Sequence, residues 1–214
     1  MADIVTLIFI FLIFYFSMTV HEVAHGAVAS ILGDPTAKLA GRLTLNPLKH
    51  IDLLGSVILP GILILMSAMT GGNGIIFGWA KPVPYNPDNL RDKKYGRAKV
   101  GAAGPLSNFL IAIIFGLCLR FFPESSTSFF QNLQIFFQYV VWVNLLFFVF
   151  NLWPAPPFDG HHILFSFVPS LESKTGIFKN PLLSMFIALL FMDFIGLPYI
   201  CPWLFQVITG MKMF

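Results

Sequence analysis

The chain alternates long apolar blocks with short stretches that hold most of its charge and proline. From Ile4 to Val20 the only polar side chains are Thr6, Tyr15, Ser17 and Thr19, and none is charged. A run of that length predicts a membrane-crossing helix, extending from about Ile4 to Leu32 and stopped by Gly33-Asp34-Pro35. At 1.5 Å per residue it would be roughly 43 Å long, against an apolar core of roughly 30 Å. His21 then lies past the midpoint, toward the C-terminal exit. Thr36 to His50 is polar, and the alternation over Leu39–Leu45 predicts a strand or hairpin. Leu53 to Ala68 is apolar but carries Gly55, Pro60 and Gly61, and Gly71-Gly72-Asn73-Gly74 follows, so it either crosses once or dips in and returns. The prolines between Gly78 and Pro87 exclude a helix, and Asp88 to Lys99 reads as a charged loop.

Further apolar segments are expected over Val100–Phe122 and Ile135–Trp153, separated by a polar loop from Pro123 to Gln134. The second is broken by Pro154-Ala155-Pro156-Pro157-Phe158-Asp159-Gly160. Leu182 to Gly210, interrupted by Asp193, Gly196 and Pro198, fits one bent span or two short ones. The sum is an all-α polytopic membrane protein. It has about five or six membrane segments, one a re-entrant hairpin, with short strand or extended loops at the cytosolic face.

Composition strengthens that picture. Of 214 residues 57% are hydrophobic and only 11% charged, where a soluble domain carries about 25% charged. The net charge of +3 gives no case for nucleic-acid binding, because the basic residues lie between apolar blocks. Cys118 and Cys201 sit in apolar surroundings and read as packing residues. The N-terminal block lacks a basic leader and a small-residue cleavage site, so it is expected to be retained. Residues 1–214 are read as a single membrane domain. Lys and Arg number three over Gly33–Asp52, six over Lys81–Lys99, one over Arg120–Gln134 and two over Phe158–Pro181. The positive-inside rule then places the first, second and fourth of these loops in the cytosol, provided Leu53–Gly78 returns to its starting side.

The chemistry concentrates at His21-Glu22-Val23-Ala24-His25. Residues four apart share a helix face, so both imidazoles can serve one Zn²⁺ ion while Glu22 handles a water proton. Three ionisable groups in a membrane segment are costly, which makes function the default reading. A catalytic zinc needs a third ligand and an open position. In the topology above Asp159 lies at the depth of the histidines and is the best candidate, the alternative being that it only turns the chain. Small residues three apart over Gly101–Asn108 let a neighbouring helix approach, the metal-bearing one among them.

His21-Glu22-Val23-Ala24-His25, Ala103-Gly104-Pro105-Leu106-Ser107-Asn108 and Asn151-Leu152-Trp153-Pro154-Ala155-Pro156-Pro157-Phe158-Asp159-Gly160 resemble, in order, the three signature segments of the site-2 protease family of intramembrane zinc metalloproteases. Asn46-Pro47-Leu48-Lys49-His50-Ile51-Asp52-Leu53-Leu54-Gly55 and Lys81-Pro82-Val83-Pro84-Tyr85 are similar to its compact prokaryotic branch. The resemblance implies one zinc per chain on His21, His25 and Asp159, and Glu22 as general base. It implies that Asn151 positions substrate or stabilises the tetrahedral intermediate; His50 and Asn108 are further candidates for substrate or oxyanion contacts. The implied substrate is a transmembrane helix of another protein, locally unwound and able to pair with the expected Leu39–Leu45 strand. The implied setting is a prokaryotic inner membrane with the active site toward the cytosol; the sequence leaves homo-oligomers and regulatory partners open. His161-His162 departs from the family pattern after Asp159-Gly160, and the two are read as neighbours of the metal shell or interfacial residues. A reading from another class is a catalytically silent scaffold or metal-handling protein on the same fold, but a scaffold has no need of Glu22.

Overall fold

The computed structural model describes residues 4–58, 61–62, 66, 78, 81–122, 127–172 and 179–212. Among them the regular structure is helical throughout. The elements are α1 (Ile4–Ile31), the single turn α2 (Thr36–Leu39), α3 (Gly96–Arg120), α4 (Ser128–Asn151), α5 (Gly160–Phe167), α6 (Pro181–Phe191) and α7 (Cys201–Thr209). A π-helical stretch, Met192–Ile200, joins α6 to α7. The whole of Pro181–Thr209 therefore runs as one helix, which favours the single bent span over two short segments. Four helices are long and apolar enough to cross a membrane: Phe9–Ile31, Gly96–Arg120, Ser128–Asn151 and Pro181–Thr209. The expected re-entrant hairpin over Leu53–Gly78 lies largely outside the described residues. Its first part, Leu53–Ile58, is a wide helical turn that accepts a bond from the Tyr15 hydroxyl at Ser56 O.

Helix α3 is the centre of the bundle, packing on α1, α4, α5 and α7. The largest core patch is built where α3, α4 and α7 meet, with Ala112, Leu119, Val141, Leu145 and Phe205 buried. Ile13, Val140 and Val143 join α1 to α4. Elsewhere the spans present large apolar side chains outward, among them Phe16, Leu110, Phe186 and Trp203, the surface expected of helices solvated by lipid. Both cysteines are free.

Two expectations are corrected. Leu39–Leu45 forms no strand: α2 ends at Leu39, Arg42 N donates back to Ala37 O at 2.9 Å, and the chain then runs extended without a ladder. Alternation marks an extended segment, but a strand needs a partner to hold its backbone bonds. Helices α3 and α4 also start earlier than hydropathy suggests, because the backbone ladder continues past the end of the apolar run. The first turns of α3 carry Arg97 and Lys99, and α4 begins with Ser128, Gln131 and Asn132.

One buried carboxylate ties the end of α1 to the loop before α3. Asp34 is fully buried and accepts from Thr36 Oγ1 at 2.5 Å, Asn86 N at 2.7 Å and Asn89 Nδ2 at 2.8 Å. Burial alone would raise its pKa, but these donors outweigh it and hold the carboxyl below the usual range. Asp34→Ala strands the Asn86 and Asn89 donors, an expected loss of about 2 kcal/mol at neutral pH. Because the native pKa is depressed, this stabilisation is present above the unfolded-chain value and fades as pH falls through the native one. Thermal unfolding in detergent should therefore separate parent from variant at pH 7 and bring them together in acid.

Candidate metal centre

The His21-Glu22-Val23-Ala24-His25 stretch is fully helical within α1, so the two imidazoles share a face, their ring centroids 4.7 Å apart. Both are buried, at 5% and 9% exposure. Each ring is pinned through its far nitrogen. His21 Nδ1 lies 2.6 Å from Asn108 Oδ1 and His25 Nδ1 lies 2.7 Å from the Val100 carbonyl oxygen. Both partners are acceptors, so the Nδ1 atoms carry the protons and the Nε2 lone pairs are left to face each other.

Asp159 is delivered by the break after α4. The chain leaves that helix at Asn151 and doubles back so tightly that a Cβ on Gly160 would meet Leu152 O at 2.3 Å and Trp153 O at 2.5 Å. Only glycine permits that backbone approach. Phe158 anchors the loop, buried against Phe150 with ring centroids 4.6 Å apart, and the Pro156–Pro157 peptide is cis. Asp159 Oδ2 thereby comes within 3.0 Å of His21 Nε2 and 3.3 Å of His25 Nε2, while the two Nε2 atoms are 3.0 Å apart.

These separations test the fit of a metal. A tetrahedral zinc with bonds near 2.0 Å separates its ligand atoms by about 3.3 Å, close to the triangle found here. Asp159 Oδ2 is buried and, despite its proximity to both rings, has no hydrogen bond of acceptable geometry. Two lone pairs and a carboxylate oxygen facing one another, with protons turned away, form a donor set for a cation. Among the described residues this is the one cluster of three such groups. A Cβ on Gly104 would lie 2.4 Å from His25 Nε2 and 2.5 Å from His21 Nε2, so α3 leaves open the space in front of both lone pairs.

Glu22 is half-buried beside the cluster, and its Oε2 accepts from Val83 N at 2.7 Å. That bond comes from the extended Lys81–Tyr85 segment, held in turn by Arg42 Nη2 donating to Lys81 O at 2.7 Å. The other residues singled out in the sequence supply no atom to the donor triangle. His50 is buried and its Nε2 bonds Thr44 O at 2.9 Å, which closes the turn around Pro47. Asn151 Nδ2 donates to Phe147 O at 3.0 Å on its own helix. Asn108 is fully buried with both ends of its amide engaged, so it supports His21 and has no free face for substrate. His161 and His162 stack at 3.8 Å between ring centroids behind Asp159; burial lowers both pKa values, that of His162 to about 4. Sequence reasoning missed Ser17 and Asn144, whose polar side chains at helical spacing were the available signal.

A helical integral membrane protein with an H-E-x-x-H helix and a distant aspartate converging on one point belongs to the class of membrane metalloproteins. The profile of Peptidase family M50 matches residues 122–193, the part that holds Asp159. A Bacillus subtilis (strain 168) protein named "Putative zinc metalloprotease YwhC" is 41% identical over 157 residues, 72% of this chain and 66% of that protein. A Mycolicibacterium smegmatis protein named "Putative zinc metalloprotease Rip2" is 27% identical over 160 residues, 74% of this chain and 56% of that protein. The chain thus spans about two thirds of the length of the first and just over half of the second. No solved structure matches it. The chain belongs to peptidase family M50, the site-2 protease family.

Proposed function

We propose that this chain is an intramembrane zinc endopeptidase that hydrolyses peptide bonds in or near the transmembrane segments of other membrane proteins. The observation that carries the reading is the donor triangle of His21, His25 and Asp159 with Glu22 beside it on an apolar helix. His21 Nε2, His25 Nε2 and Asp159 Oδ2 are the atoms that would hold one zinc. When bound, the ion supplies Lewis acidity, which makes water acidic enough to lose a proton near neutral pH and polarises a carbonyl. Glu22 takes that proton on its carboxylate and passes it to the departing amine, with Val83 N–H holding the other oxygen still. Asn108 and the Val100 carbonyl keep both imidazoles in the ligating tautomer. The surrounding helices exclude bulk water, and the outward apolar faces keep the centre at membrane depth. Asn151, at the mouth of the loop that carries Asp159, is the side chain best placed by sequence to meet substrate.

The basic loops support a cell-membrane orientation in which α1 runs inward and the site opens toward the cytosol. Substrate helices are already internally hydrogen-bonded, so cleavage requires local unwinding at the site.

Purified protein in liposomes with a membrane-helix substrate tests the reading. It should contain about one zinc, lose cleavage on chelation and regain it when zinc is returned. Undiminished cleavage by metal-free protein would overturn it.

A further inference from the structure

Behind His21 a chain of buried amides crosses three helices. Asn108 on α3 and Asn144 on α4 are fully buried, and Ser17 on α1 is 5% exposed. Ser17 precedes His21 by one helical turn. Asn144 Nδ2 donates to the Val140 carbonyl at 2.8 Å and to Ser17 Oγ at 2.9 Å. Its Oδ1 accepts from Asn108 Nδ2 at 2.9 Å, and the same Asn108 Nδ2 donates to Ser17 O at 3.2 Å. Asn108 Oδ1 then receives His21 Nδ1 at 2.6 Å.

The direction of this chain is not free. A backbone carbonyl can only accept, so Val140 O fixes which end of the Asn144 amide is nitrogen. That turns Asn144 Oδ1 toward Asn108 at 2.9 Å, and the longer bond from Asn108 Nδ2 to Ser17 O at 3.2 Å has the same sense. With its nitrogen committed twice, Asn108 must present oxygen to His21, and His21 must carry its proton on Nδ1. The Nε2 lone pair aimed at Asp159 follows from a backbone carbonyl two amides away. Burying two amides inside a membrane bundle is unfavourable unless every donor is matched, and here all four N–H groups are.

We infer that Asn144, supported by Ser17, is a positioning residue for the metal centre: it orients the Asn108 amide and so holds His21 in its ligating tautomer. This rests on the zinc reading above.

The test is zinc affinity of the full-length protein in detergent, by competition with a chelating dye. Asn144→Leu should weaken zinc binding about tenfold, the lower end of the effect of removing such a support. In an Asn108→Asp background the sign changes. Both oxygens of a carboxylate accept, so no orienting partner is needed, and the fixed Asn144 Oδ1 faces an anion. Adding Asn144→Leu there should leave affinity unchanged or improve it. A residue that only fills space would cost the same factor in both backgrounds, and that result overturns the inference, as does parental affinity in Asn144→Leu alone. Should Asn144→Leu fail to fold, Ser17→Ala decides: a loss of about threefold supports the inference and parental affinity overturns it. A parent that holds no zinc removes the zinc reading and this inference together, whereas a zinc-loaded parent with an unaffected Asn144→Leu removes this inference alone.

Discussion

Replacing Glu22 with Gln should lower cleavage of a membrane-helix substrate by about 10³-fold, within the range a positioned general base contributes, while zinc content stays that of the parent. The exchange is nearly isosteric. The Val83 N–H that donates to Glu22 Oε2 at 2.7 Å finds an equivalent acceptor in the Gln carbonyl, so the side chain stays where it is. Nor does the substitution touch the donor triangle, whose atoms belong to His21, His25 and Asp159. What disappears is a group able to take a proton and return it. Metal analysis beside a cleavage assay separates the two properties. Cleavage within tenfold of the parent would mean that another group moves the proton. Zinc lost together with activity would mean that Glu22 helps to build the site.

How much of this was legible beforehand depends on the range over which each feature is determined. The two histidines are a local matter: four residues on a helix fix their relation, and the apolar run around them identifies the helix. Asp159 is 134 positions beyond His25 in numbering, yet its depth could be read from the charge of the loops and the proline break. The supports could not. Asn108 is a candidate substrate or oxyanion contact in the sequence because it closes a signature segment; only packing shows its amide closed off between His21, Ser17 and Asn144. His50 was drawn in by the company it keeps in the motifs, but a hydrogen bond holds it to its own turn. The strand over Leu39–Leu45 failed for a related reason. Local alternation says that a segment can be extended, and the partner that would make it a strand is decided elsewhere.

Gly104→Ala should abolish zinc binding and cleavage together, an expected loss in metal affinity of at least about 100-fold. The small residues of α3 announced close packing, but the structure shows what they pack against. An added methyl at Gly104 would lie 2.4 Å from His25 Nε2 and 2.5 Å from His21 Nε2, far inside van der Waals contact, in the space where both lone pairs point. Neither ring can turn aside cheaply, because Asn108 Oδ1 and Val100 O hold their other nitrogens at 2.6 and 2.7 Å. Relief must come from α3 moving away from α1, and the same motion carries off Asn108 and Val100, which keep the histidines in register. The methyl is otherwise benign, since alanine favours a helix more than glycine does. Membrane insertion and helix content should therefore match the parent, and circular dichroism beside metal analysis checks both. Parental zinc content in the Gly104→Ala protein would show that the approach of α3 to the histidines is looser than the packing implies. Loss of helix content with the metal would make the defect one of folding rather than of the site.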